Sequence, residues 1–127
     1  MERQHHHGVS PYEDKYGFAR AVKVGNTIEV AGTAPVPLPG EAVATGAYAQ
    51  MMRCGQIAEE AIAALGGTMR DVVRTRMFIV DPQDADAVGM AHKELFGDAE
   101  PAATMVVVAG LLDPVWRVEI EVEAVLS

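Results

Sequence analysis

From Trp116 to Ala124 the chain alternates without a break. Trp116, Val118, Ile120, Val122 and Ala124 are separated by Arg117, Glu119, Glu121 and Glu123. A period of two marks a strand with one apolar and one charged face. At a rise of ~3.3 Å per residue, the three carboxylates stand roughly 6.7 Å apart along one face, where they repel one another unless water or cations intervene. The apolar face belongs in a core. What the acidic face meets is the question that the rest of the chain has to answer.

Two further alternating runs, Phe18–Val24 and Thr27–Ala31, flank Gly25-Asn26, a two-residue hairpin signal of type I′ or II′. Gly32 follows, where backbone can approach a neighbour closely. Ala34–Gly40 holds Pro35, Pro37 and Pro39 and must be a loop. The period then lengthens. Tyr48, Met51, Gly55, Ala58, Ile62 and Leu65 form one helical stripe, with Gln50, Arg53, Gln56, Glu59 and Glu60 on the other side, and Gly66-Gly67 ends the helix. Val72–Val80 is a strand with Val73, Thr75, Met77 and Ile79 facing the core and Arg74, Arg76 and Phe78 facing away. After Asp81-Pro82 a second helix runs to Phe96 on a stripe of Ala85, Val88, Ala91 or His92, and Leu95; Gly97 ends it. The order β-β-α-β-α-β-β predicts an α+β two-layer sandwich.

Residues 1–15 show no sustained periodicity and are expected to be a flexible arm, with residues 16–127 as one domain. His5, His6 and His7 do not converge on one ion as an i, i+4 pair would, so no metal site is assigned to them. Cys54 has no histidine nearby in sequence and is read as a buried, inert thiol. His92 is read as a half-buried packing residue. The single cysteine fits a reducing compartment, no apolar run reaches the roughly 18 residues that span a bilayer, and the N-terminus lacks a secretory pattern, so the expected location is cytoplasmic. A net charge of −8 with scattered Lys and Arg argues against nucleic-acid binding. If both helices cover one face of the sheet, the other face carries Arg74, Arg76, Glu119, Glu121 and Glu123 together with Phe18 and Phe78. Such a surface suits contact with further copies of the chain in a closed oligomer.

The segments G-F-A-R-A-V-K-V-G-N, V-A-G-T, D-V-V-R-T-R-M-F-I-V-D, E-L-F-G, P-A-A-T-M-V-V-V-A-G-L and V-E-I-E-V-E-A, in that order, resemble the reactive intermediate deaminase (RidA/YjgF) family over roughly residues 16–126. The resemblance implies a YjgF-like, chorismate-mutase-like fold and a homotrimer with clefts between subunits. It also implies cofactor-free hydrolysis of enamines or imines such as 2-aminoacrylate to a keto acid and ammonia. In the family an arginine grips the substrate carboxylate side-on, a tyrosine and a serine line the cleft, and a glutamate positions water. Here those positions fall on Ala103, Phe18, Ala31 and Glu119, with Met105 where a small or thiol residue is frequent. Losing the charge-assisted fork weakens binding of a small acid by about 2–4 kcal/mol.

Arg20, on the strand face of Phe18, and Arg76, on the third strand, are the candidates to enter the cleft instead; otherwise they neutralise the glutamate ladder. Two readings follow. One is a divergent hydrolase of a less anionic or bulkier imine or enamine, with Glu119 orienting water and backbone near Gly32 or Met105 stabilising charge. The other is a trimer that binds a small molecule without turnover. An endoribonuclease role, also attached to the family, conflicts with the charge.

Overall fold

The alternating run folds as a strand, Val118–Val125, deep inside a six-stranded sheet. The structure is a computed structural model that describes residues 1–127. In chain order its main elements are β1 (Arg3–His6), α1 (Pro11–Tyr16), β2 (Ala21–Val24), β3 (Thr27–Thr33), α2 (Ala47–Ala64), β4 (Val72–Ile79), α3 (Ala85–Phe96), β5 (Ala102–Val107) and β6 (Val118–Val125). Across the sheet the order is β1-β2-β3-β6-β4-β5, antiparallel except for the parallel β4–β5 pair. The last strand therefore inserts between β3 and β4. Its apolar residues Val118, Ile120, Val122 and Ala124 are buried, and Glu119, Glu121 and Glu123 take the opposite face. Full burial of a side chain such as Ile28, Ile62, Ile79 or Ile120 contributes about 1.5–3 kcal/mol.

The α+β two-layer architecture holds, with α2 covering β3 and β6 and α3 packed on α2. Gly55 permits that helix pair: a Cβ there would overlap Leu95. Met51, Gly55, Ala58, Ile62 and Leu65 are buried as their spacing predicts, but Tyr48 is exposed and donates its hydroxyl to Glu94 at 2.6 Å. Gln50, read onto the polar side, is 3% exposed. Its amide donates to Ala44 O and Val115 O and accepts from Arg117 N, tying the helix to the loop before β6.

Two register shifts redirect side chains. One lies between Val72 and Arg74 against β6, so Val72 turns inward while Val73, expected in the core, is 42% exposed. The other lies between Val30 and Thr33 on β3 and returns Thr33 to the buried face opposite Ile120. The β2–β3 turn has a left-handed Gly25 (φ 60°) and no positive φ at Asn26, the pattern of type II′.

Residues 1–15, expected to be a loose arm, carry two elements. β1 pairs with β2, placing His5 opposite Val22 and His6 opposite Ala21. Because strand neighbours point to opposite faces, these histidines do not share one ion. Ser10 caps α1 by accepting from Tyr12 N, Pro11 occupies its first turn, and Gly17 closes it in the left-handed conformation (φ 78°). Phe18 therefore lies in the turn after α1, before β2 begins. No helix is long and apolar enough to cross a membrane.

On the face away from α2, Glu29 stands directly opposite Glu123, Glu123 opposite Arg74, and Glu121 opposite Arg76. Arg76 reaches Glu121 at 3.7 Å, and Arg74 donates to Thr104 at 3.1 Å. The arginines of β4 thus belong to the charge ladder.

Candidate functional site

At the β6 end nearest Trp116, the outward face becomes concave. Glu119 is half-buried, and its carboxylate lies over Gly32 so closely that a Cβ at that position would overlap Oε2. The β3 bulge and the missing side chain together make this seat. Burial raises the Glu119 pKa above the ordinary carboxylate value; the positive charge of Arg20 opposes the shift and Glu121 adds to it.

Arg20 closes one side. It is 4% exposed, and Nη1 donates to Gly32 O at 2.6 Å and to Thr33 Oγ1 at 3.0 Å. Its Nε stands 3.3 Å from Glu13 Oε2 as an ion pair, and neither of those two buried atoms makes a hydrogen bond. Glu13, equally buried on α1, uses its other oxygen to accept from Gly8 N at 2.9 Å. Phe18 lies over the guanidinium, 5.5 Å from ring centroid to Cζ, within cation–π range.

The remaining walls are aromatic and apolar. Tyr12 stacks on Tyr16 at 5.7 Å and meets Trp116 edge-on at 6.3 Å. Trp116 alternates with the β6 residues in sequence, yet the strand starts two residues later, so its indole lines this pocket. Leu112, Val36 and Ala34 complete a cavity of about 90 Å³ with Glu119 and Arg20 inside it.

Of the residues singled out in the sequence, Phe18, Arg20, Gly32 and Glu119 come together here. Ala31 adjoins the site through backbone alone, donating to Arg20 O at 2.9 Å and accepting from Thr33 Oγ1 at 2.7 Å. Arg76 lies along the ladder instead. Ala103 and Met105 sit on edge strand β5, opposite Thr75 and Met77, whose side chains face the helices; within one chain they do not reach the pocket. His92 is also elsewhere, its Nε2 2.8 Å from Thr75 Oγ1, with its pKa lowered by burial. Cys54 is enclosed beneath β6, and burial, reinforced by the Glu119 charge, pushes its thiol far up.

The sequence reading missed Glu13 as the partner of Arg20, and Tyr12, Tyr16 and Trp116 as pocket residues. A signal existed for the first three. Ser10-Pro11-Tyr12-Glu13 has an N-cap serine, a proline in the first turn and a glutamate at the third position, which marks a helix start.

The family model described as Endoribonuclease L-PSP matches residues 11–126. An uncharacterized protein of Streptomyces coelicolor is 43% identical over 118 residues, 91% of this chain and 86% of its own length. A 2-iminobutanoate/2-iminopropanoate deaminase of Dermatophagoides farinae is 31% identical over 105 residues, 82% of this chain and 81% of that protein. Among solved structures, Rv2704 of Mycobacterium tuberculosis, a member of the YjgF/YER057c/UK114 family, superposes with a TM-score of 0.90 at 33% identity, covering 98% of this chain and 100% of that one.

Proposed function

The chain belongs to the endoribonuclease L-PSP family, the YjgF/RidA group, and from that premise we propose that it hydrolyses the imine or enamine of a small metabolite without a cofactor, using Glu119 to activate water. The observation that carries the reading is the seating of Glu119 on Gly32 inside a pocket it shares with Arg20. Water adds to the C=N carbon as the Glu119 carboxylate takes one of its protons. That proton passes to nitrogen; the adduct's hydroxyl proton then follows it by way of Glu119 as the C–N bond breaks, leaving a carbonyl compound and ammonia. A carboxylate whose pKa is raised by burial is a stronger base than a solvated one and matches this task nearer neutral pH. Gly32 contributes by leaving room for the carboxylate.

The substrate in this reading is less anionic than 2-aminoacrylate. Two features support this: Ala103 is read at the family's arginine position, and Arg20 commits Nη1 to protein acceptors while its Nε lies against Glu13. The chain acts as a homotrimer: β5 is an exposed edge with Val106 and Val107 outward, and the charged face beside it is uncovered. Equilibrium sedimentation at three times the chain mass supports this assembly, and a monomer rules it out. For catalysis, Glu119→Gln abolishes ammonia release from imines generated in situ while ligand-induced thermal stabilisation survives. Turnover unchanged in that variant removes Glu119 from the chemistry.

The aromatic wall supports a second reading, a ligand-binding trimer without turnover. A thermal-shift screen followed by product analysis separates the two: binding without ammonia release favours the second.

A further inference from the structure

We propose that Glu13 sets the charge selectivity of this pocket: by neutralising Arg20 it makes the site take neutral imines with a short branched aliphatic end in preference to 2-imino acids of the same skeleton. This rests on the hydrolase reading and names its substrate class.

A guanidinium grips a carboxylate side-on through two N–H groups on one edge. Each edge of the Arg20 guanidinium has one nitrogen that is turned to the protein. Nη1 serves Gly32 O and Thr33 Oγ1, and Nε faces Glu13 Oε2 at 3.3 Å. Nε makes no hydrogen bond but is fully buried against Glu13, which leaves Nη2 as a one-point donor suited to a single oxygen, including the one formed when water adds to the imine. The charge is balanced as well. Glu13 and Arg20 are both 4% exposed, so their charges offset each other out of water, where screening is weak. The remaining charge in the cavity is the Glu119 carboxylate, which repels a second anion.

The opposite walls, Tyr12, Leu112 and Trp116, offer apolar surface. The space within one chain is small, about 90 Å³. A branched end of about three or four carbons suits it.

Trp116 is the only tryptophan, so its fluorescence reports on this pocket directly. Stable product analogues test the selectivity: 3-methyl-2-butanone as the neutral ligand and 3-methyl-2-oxobutanoate as its carboxylate counterpart. The wild-type protein is expected to bind the ketone at least about tenfold more tightly. Glu13→Gln leaves Arg20 uncompensated and is expected to tighten the oxo acid by about tenfold with the ketone unchanged; Glu13→Asp, which keeps the charge, retains the wild-type preference. Equal or tighter binding of the oxo acid by wild type overturns the inference, as does a preference that Glu13→Gln leaves unaltered or a Trp116 signal that neither ligand moves at millimolar concentration. Should circular dichroism show Glu13→Gln unfolded, the wild-type preference decides. Ammonia release from the matching imines is read in parallel. Turnover with the wrong preference defeats this inference alone, and the right preference without turnover defeats the hydrolase reading alone.

Discussion

Glu29 is the carboxylate whose environment makes the most quantitative demand. It stands on β3 directly opposite Glu123 on β6. Its pKa is raised from 4.5 to about 7, first by burial, then by a hydrogen bond with Glu123 and the charge of Glu123, while Arg76 pulls it down and Glu121 pushes it up. The folded state therefore holds this proton more tightly than the unfolded chain. Between pH 4.5 and about 7 the native protein binds the greater number of protons, so stability falls as pH rises through that window, and the full penalty is present above it. Unscreened, the shift corresponds to about 3 kcal/mol. Glu29 is more than a third exposed, and solvent reduces such interactions to on the order of 1 kcal/mol. Glu29→Gln removes the titration. Urea unfolding followed by circular dichroism, at fixed protein concentration, should show the variant matching wild type at about pH 4 and exceeding it by about 1 kcal/mol at about pH 8. An equal difference at both pH values, or a less stable variant at the higher one, refutes the argument.

Two substitutions test geometry elsewhere. Gly32→Ala puts a Cβ where the Glu119 carboxylate rests, at a backbone conformation alanine accepts; imine turnover should fall by about 10²-fold with the fold retained by circular dichroism, and wild-type turnover would contradict the seat. Gly55→Ala forces Leu95 away from the α2–α3 contact and should destabilise the protein by about 1–3 kcal/mol in thermal unfolding, with unchanged stability counting against the close helix approach.

The central strand was legible because its period is unbroken and each inward residue is buried. The stripe of α2 was legible for the same reason, and the ordered family segments extended the reading to the fold. Other features depend on contacts that local pattern does not carry. Val73 looks inward by alternation, yet one inserted residue opposite β6 turns it out. Gln50 reads as a surface residue, but its amide is consumed by Val115 and Arg117, partners 65 and 67 positions away. α1 has six residues, too few to establish a helical period, and only its capping pattern announces it. With α1 unseen, Glu13 had no place beside Arg20 and the aromatic wall could not be assembled. Ala103 and Met105 were placed by resemblance, which carries a position in the chain without the contacts made there.

The account turns on Glu119 acting as a base from a half-buried seat, and the pH profile of kcat/KM on a neutral imine reads that directly. Because burial raises the Glu119 pKa, activity should climb as pH rises through an apparent pKa above 4.5, and this acid limb should be absent from the residual rate of Glu119→Gln. A limb at or below 4.5, or one that persists in the variant after the spontaneous rate is subtracted, would contradict the assignment of Glu119 as the base.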